Sequence, residues 1–513
     1  VNGAESLIRT LTQGGVDTCF MNPGTSEMHF VAALDAVPEM RGVPCLFEGV
    51  ASGAADGYAR MAGKPASTLF HLGPGLSNAL ANMHNAGRAR VPMVNIVGEH
   101  ASFHRQYDAP LTSDIEAIAR PFSRWLRTTA SSGEVGRDCA EAIAAARTAP
   151  GRIATLILPA DAAWNDGGRI AAVPVIPQAP SVAASAVDRA AAALKNGKST
   201  AIILGPHLTE GATLVVAARI AAATGAKLLA PFAFTRISRG AGLPSVTRIP
   251  YVTDSAIELL REFDQLILVG AAPPAAFFGH QTRASLLARE DCEIHGFAGP
   301  DDDCAGALAS LADAVHANNA EPKLQGAERP ALPTGEITLA GLAATVAALL
   351  PENAIVVDES VTSGRNMMAA TKGAAPHDWL VNTGGSIGIG LPMAVGAAVA
   401  CPDRPVLCLE ADGSAMYTLQ ALWTAARESL NITTVVFANR AYAILKGELA
   451  GLGGNPGPRA LEMLDIGRPD IDWVSLSKSL GIPARRVMSL DEFAGALGRG
   501  FMSDGPNLIE IPL

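Results

Sequence analysis

The stretch that decides the fold runs from residue 406 to 442 and reads VLCLEADGSAMYTLQALWTAARESLNITTVVFANRAY. A short apolar run at 406–410 opens it, as expected of a strand buried on both faces. Asp412-Gly413-Ser414 follow, then a helix-like segment at 419–430, then a second apolar run ending at Asn439. Strand, helix and strand in this order form a crossover between parallel strands. The crossover returns Asn439 to the sheet edge that carries Asp412. Open α/β sheets bind ligands at that edge, outside the C-terminal ends of the strands.

The residue types at the edge suit a hard cation. Asp412 offers a carboxylate, Asn439 an amide oxygen and Ala441 a backbone carbonyl. Mg²⁺ takes about six oxygen ligands and keeps phosphate oxygens and water beside one or two carboxylates. Gly413 and Ser414 open a helix, so their N–H groups can face a phosphate. The same residues also fit an ordinary strand-to-helix turn with an Asp cap. The segment alone leaves both readings open.

Outward from this stretch, apolar runs recur at 66–71, 93–98, 154–158, 201–204, 228–230, 265–269, 354–357, 433–438 and 508–511. Ala-rich helical segments such as 140–147, 186–194, 214–224 and 339–349 lie between them. This alternation predicts parallel sheets covered by helices on both faces. Two stretches dense in Pro or Gly, 166–185 and 318–335, cannot continue helices or central strands and read as linkers. They leave domains at 1–165, 186–317 and 336–513. The first and third echo one another. Gly73-Pro74-Gly75 precedes a helix and strand, as Asp412-Gly413-Ser414 does. The expected fold is α/β, with three doubly wound domains.

Composition narrows the function classes. The chain has 513 residues, 49% of them hydrophobic and 17% charged, too apolar for a disordered chain. Its net charge of −10 argues against a nucleic-acid partner. No apolar run is long enough to span a bilayer, and residues 1–20 alternate at helical spacing without a leader pattern. A cytoplasmic protein is expected, with its seven scattered cysteines reduced and mostly buried.

Further motifs carry a resemblance. Asn22-Pro23-Gly24-Thr25, Phe47-Glu48, Ala55-Asp56-Gly57-Tyr58-Ala59-Arg60, Gly73-Pro74-Gly75 to Asn78, and the glycine-rich loop at 384–392 occur in that order. With Asp412-Gly413-Ser414 and Ala438-Asn439 they resemble the thiamine diphosphate (ThDP)-dependent decarboxylase/acetolactate synthase family, and its benzoylformate decarboxylase members most. The metal–diphosphate motif of that family usually reads Gly-Asp-Gly and ends Asn-Asn; Ala411 and Ala438 stand at two of those places. The side chains that would hold the metal are kept.

The resemblance implies a pyrimidine-binding (PYR) domain, a middle domain and a diphosphate-binding (PP) domain, in that order. It makes Asp412, Asn439 and Ala441 the Mg²⁺ ligands. It makes Glu48 the acid that bonds the cofactor's aminopyrimidine ring, so that the cofactor generates its own nucleophile. Asn22, Pro23, Gly24, Asn78, Thr362, Gly385, Gly413, Ser414, Tyr442 and Ala443 become cofactor contacts, and Ile387 the apolar residue beneath the bent cofactor. Read without the family, Ile387 is a core residue in a tight loop, and Glu48 a helix-start acid.

On the substrate side, His71 matches an active-site histidine and Thr25 a serine that contacts the substrate carboxylate. His280 matches a second histidine, or is a structural residue. Pro110, Leu111, Ile444 and Glu448 match pocket-lining positions, and Glu448 replaces an apolar aromatic. A carboxylate there favours polar or small substrates. His100 and His104 stand four apart without an evident third ligand, and read as a pocket-rim pair. The FAD stretch of related enzymes is only faintly echoed by Ser238-Arg239-Gly240-Ala241-Gly242, and the chain ends at Leu513 directly after a strand. FAD is therefore not expected.

The reading is a ThDP- and Mg²⁺-dependent 2-oxo acid decarboxylase with carboligase capability. An acetolactate synthase-type transferase is the alternative enzyme. A non-catalytic ThDP-fold subunit is the alternative of another class, opposed by the joint presence of Glu48, Asp412 and Asn439. By resemblance the sites form between subunits, so a homodimer or homotetramer is expected.

Overall fold

Each of the ten apolar runs becomes a strand in the structure, a computed structural model that describes every residue of the chain except 282 and 452–455. In chain order the strands are β1 (Thr18–Met21), β2 (Arg41–Pro44), β3 (Ala66–Phe70), β4 (Met93–Glu99), β5 (Trp125–Thr128), β6 (Ile153–Pro159), β7 (Thr200–Leu204), β8 (Lys227–Ala230), β9 (Ile237–Arg239), β10 (Thr247–Arg248), β11 (Gln265–Val269), β12 (Glu293–Ala298), β13 (Ile355–Glu359), β14 (His377–Val381), β15 (Val406–Ala411), β16 (Ile432–Ala438), β17 (Ala484–Arg486) and β18 (Asn507–Pro512). The N-terminal stretch splits: Gly3–Gln13 is helical, but Thr18–Met21 is the strand β1.

By contacts the chain divides into two units. One comprises Val1–Ile176, Pro330–Thr371 and Asn382–Leu513; the other comprises Pro177–Arg329 and Lys372–Val381. The second unit holds a parallel sheet in the order β10-β8-β7-β11-β12, and an antiparallel pair of β9 with β14.

The first unit holds two parallel arrays. One is the six-stranded sheet β2-β1-β3-β4-β6-β5. The other runs β17-β18-β16-β15-β13. Residues of β3, β4, β6, β15 and β16 are nearly all buried, which explains why these strands read as continuous apolar runs.

The two arrays meet through the helices Glu48–Ala62 and Gly390–Ala400. A Cβ on Gly57 would fall 2.1 Å from the Met393 carbonyl oxygen, and one on Gly396 would fall 1.9 Å from that of Ala54. Only glycine permits so close an approach. Beside this contact, Arg60 and Asp56 form a fully buried ion pair at 2.8 Å, and Arg60 Nη2 also donates to Thr383 Oγ1. The Ala- and Gly-rich composition is thus spent on close helix–helix packing. Among the described residues no helix is long and apolar enough to cross a membrane.

Candidate active site

Both arrays of the first unit gather polar residues at the C-terminal ends of their strands. At the first edge, β1 runs into Asn22-Pro23-Gly24 and a short 3₁₀ turn, Thr25–Glu27. β3 runs into His71 and the helix Leu72–Ala89. The His71 ring lies over Gly24, where a Cβ would fall 2.2 Å from its Nδ1. Nδ1 and Glu27 Oε2 share a hydrogen bond at 2.8 Å, and the same oxygen accepts the Gly24 N–H at 2.7 Å. Glu27 is buried, and its Oε1 has no hydrogen-bond partner. Burial pushes the Glu27 carboxyl above the ordinary range, with His71 and the Gly24 N–H pulling it back.

Glu48 starts the helix Glu48–Ala62 and is buried. Asn78 Nδ2 donates to Glu48 Oε2 at 3.0 Å. Gly75 lies between the two acidic features. A Cβ there would stand 2.9 Å from Glu48 Oε1 and 3.3 Å from His71 Cβ. Gly24, Glu27, Glu48, His71 and Asn78 therefore form one cluster, with Thr25 exposed beside it.

At the second edge, Asp412 follows β15 and is buried. Its Oδ1 accepts the Gly413 N–H at 2.9 Å and its Oδ2 the Arg440 N–H at 2.7 Å. Burial raises its pKa, and these N–H groups lower it in part. Arg440 takes a left-handed conformation, φ 57°, directly after Asn439. Asn439 Oδ1 accepts the Ala441 N–H at 3.0 Å. The Tyr442 ring covers Gly413, where a Cβ would come within 2.8 Å of it. A desolvated carboxylate and a side-chain amide oxygen are brought to one turn, beside a cradle only glycine fits. These residues fit Mg²⁺ and a diphosphate.

The glycine-rich loop is held from two sides. Glu359, at the end of β13, accepts the N–H groups of Gly388 at 3.2 Å and Gly390 at 2.7 Å, and Asn382 Nδ2 at 3.0 Å. Burial pushes its carboxyl up to about 7. From the first array, Asn82 donates to the Gly388 carbonyl and Asn85 to that of Ser386. Gly385, φ 82°, and half-buried Ile387 sit in the span so fixed.

The remaining predicted residues scatter. Thr362 is half-buried after Val361, whose φ is 50°. Ala443 begins the helix Ala443–Gly451, which places half-buried Ile444 and exposed Glu448 one turn apart. Pro110 and Leu111 are exposed. His280 lies in the second unit, exposed, with a backbone bridge to Arg283. The His100 and His104 rings meet at a tilt, with centroids 5.4 Å apart, and among the described residues no group of three or more His, Cys, Asp or Glu could hold a metal.

Sequence reasoning missed Glu27, Asn82, Asn85 and Asn382. Only Glu27 left a local signal: an acid three residues after Gly24, at the place where a capping-box acid reaches back to the N-cap N–H.

Comparison with known proteins finds a matching domain at each end of the chain. The N-terminal TPP-binding domain of thiamine pyrophosphate enzymes matches residues 1–118, and the C-terminal TPP-binding domain matches residues 362–511. A Mycobacterium tuberculosis protein named "Putative acetolactate synthase large subunit IlvX" is 54% identical over 513 residues, 100% of this chain and 99% of that one. Benzoylformate decarboxylase of Pseudomonas aeruginosa is 28% identical, over 98% of this chain and 97% of its own. The fold matches a ThDP-dependent 4-hydroxybenzoylformate decarboxylase of Rhodococcus jostii RHA1 with a TM-score of 0.84 at 24% identity, covering 99% and 98% of the two chains. The Glu48 cluster falls inside the first matched domain and the Asp412 turn inside the second, and with 54% identity to a relative along the whole chain this protein belongs to the thiamine pyrophosphate enzyme family.

Proposed function

We propose that this ThDP-dependent enzyme is a Mg²⁺-dependent 2-oxo acid decarboxylase with carboligase capability. The observation that carries the reading is the Glu27–His71 pair: a buried acid holds an imidazole over Gly24, beside Thr25. With Nδ1–H committed to Glu27, Nε2 is the nitrogen left to hold or deliver a proton at the reacting carbon. The Thr25 hydroxyl, exposed beside the pair, would meet a substrate carboxylate. Glu48, held by Asn78, would present its carboxyl to the cofactor's ring edge.

Asp412, Asn439 and the Ala441 carbonyl would hold Mg²⁺. Gly413 and Ser414 would face the diphosphate with Thr362, and Gly385, Ile387, Tyr442 and Ala443 would complete the seat. ThDP, when bound, supplies the carbon nucleophile and stabilises carbanion character. Pro110, Leu111, Ile444 and Glu448 would line the substrate pocket, the last favouring polar or small side chains. In the oligomer, Glu48 of one subunit would serve the Asp412 turn of another.

A second reading, an acetolactate synthase-type transferase, is favoured by the name of the 54%-identical relative. One experiment separates them. A panel of 2-oxo acids with ThDP and Mg²⁺ is scored separately for CO₂, aldehyde and acyloin. Aldehyde as the main product with at least one acid supports the decarboxylase. Acetohydroxy acid from pyruvate alone supports the transferase. Absence of CO₂ across the panel refutes both.

A further inference from the structure

Glu410 has no part in the proposed reaction. It stands in β15, opposite Glu359 of β13 in register, so two carboxyl side chains lie abreast on neighbouring parallel strands. Glu410 is 0% exposed and Glu359 4%. The carboxylate of Glu359 is occupied by the glycine-rich loop. Glu410 Oε2 accepts from Ser414 Oγ at 2.8 Å, while its Oε1 has no hydrogen-bond partner. Room for that oxygen comes from Gly390, where a Cβ would fall 2.0 Å from Oε1 and 2.9 Å from Glu359 Cβ.

A carboxyl in the middle of a buried strand is costly, and an apolar residue of similar volume there would be neutral or stabilising. The gain must lie in what the side chain joins. Ser414 belongs to the turn that carries Asp412 and Gly413. Gly390 ends the loop that carries Gly385 and Ile387. Glu410 touches both.

We propose that Glu410 is a positioning residue that fixes the Asp412–Ser414 turn against the 382–390 loop, with Gly390 as its complementary space. The two faces of the cofactor seat, one for metal and diphosphate and one for the ring edge, are then set by a single buried side chain. The proposal rests on the ThDP seat described under Proposed function.

The test measures ThDP affinity by calorimetry in excess Mg²⁺, with the melting temperature of the cofactor-free full-length chain alongside. Glu410→Gln keeps an acceptor for Ser414 and should hold affinity within about twofold of wild type. Glu410→Leu removes the nearest acceptor of Ser414 Oγ, leaving the Ala411 and Glu359 carbonyls at 3.1 and 3.4 Å, and should weaken ThDP about tenfold without lowering the cofactor-free melting temperature. Gly390→Ala should weaken binding at least as much, and Gly390→Ala combined with Glu410→Ala should recover part of the loss. Wild-type affinity in Glu410→Leu overturns the proposal. If Glu410→Leu does not fold, the Gly390 pair decides: a double variant that binds no better than Gly390→Ala overturns it. A wild-type chain that binds no ThDP overturns the cofactor seat and this proposal together.

Discussion

The two sheet edges of the first unit hold their acids in opposite ways. At the first edge Glu27 and Glu48 sit on a turn and a helix start, and side chains bond them: His71 to Glu27, and Asn78 to Glu48. At the second edge Glu359 and Glu410 lie in the strands themselves, and Glu359 and Asp412 are satisfied mainly by backbone N–H groups. Side-chain partners can exchange protons and reorient; the His71 side chain is 22% exposed. Backbone donors move only if the loop moves. The first edge is therefore suited to proton transfer, and the second to a rigid electrostatic seat.

The strongest way to break this contrast is at Glu48. If Glu48 handles a proton as proposed, Glu48→Gln should lower turnover about 10³-fold while ThDP binding stays close to wild type, because the proposed metal and diphosphate contacts lie at the other edge. Steady-state rates and calorimetry on the same protein check it. Unchanged turnover would remove Glu48 from the chemistry.

The next effect belongs to the seat. Glu359 has an ordinary value of 4.5 and a folded value of about 7, raised by burial. The folded chain thus holds this proton more tightly than the unfolded one. The stabilisation is complete below 4.5 and is lost as pH rises through about 7. It amounts to about 3 kcal/mol at most. Glu359→Gln should flatten this part of the stability–pH curve, measured by denaturant unfolding between about pH 3.5 and about pH 8, roughly one unit beyond each end of the window. A slope identical to wild type would place the titration elsewhere.

At the first edge a smaller effect is expected from Glu27. Glu27→Gln keeps a neutral acceptor for His71 but removes the charge, and should lower kcat/KM about tenfold with the fold intact. Rates equal to wild type would show that His71 needs no buried acid to orient it.

The contrast also explains what the sequence made legible. Asp412 and Asn439 could be read because one strand–helix–strand crossover fixes their relation along the chain. The buried strands could be read because both faces are covered. The strand β2, Arg-Gly-Val-Pro, could not: it is an edge strand, half-exposed, with a charge, a glycine and a proline. Nor could β1, because the helical spacing of the preceding residues continues through its four positions. Glu27 acquires meaning only when the fold brings His71, 44 residues later, onto it. Glu410 lay inside the most informative stretch and still read as a strand end. The space that admits its carboxyl is the missing Cβ of Gly390, on another helix.

The contact between the two arrays gives the smallest prediction. Among the described residues two ion pairs of different kinds lie at it, one inside the helix Glu48–Ala62 and one across the arrays. Arg60–Asp56, reaching Thr383, is fully buried, whereas Arg41–Glu428 joins β2 to the end of the helix Gln420–Arg427 with the Arg41 side chain 44% exposed. Both measure close to 3 Å, at 2.8 Å and 3.0 Å, so distance does not separate them. Solvent does. Water and salt screen the Arg41 pair, and ordering two flexible side chains offsets part of the attraction. Arg41→Gln should therefore cost less than about 1 kcal/mol, and the cost should vanish at 1 M salt, where the Debye length is about 3 Å. Removing either partner of the buried pair would leave an uncompensated charge in the contact, at about 3–5 kcal/mol. Denaturant titrations of Arg41→Gln at low and high salt read the difference. A loss above 2 kcal/mol (about twice the ceiling for exposed pairs) would mean that this link is desolvated in the assembled protein, as a covering subunit over β2 would make it.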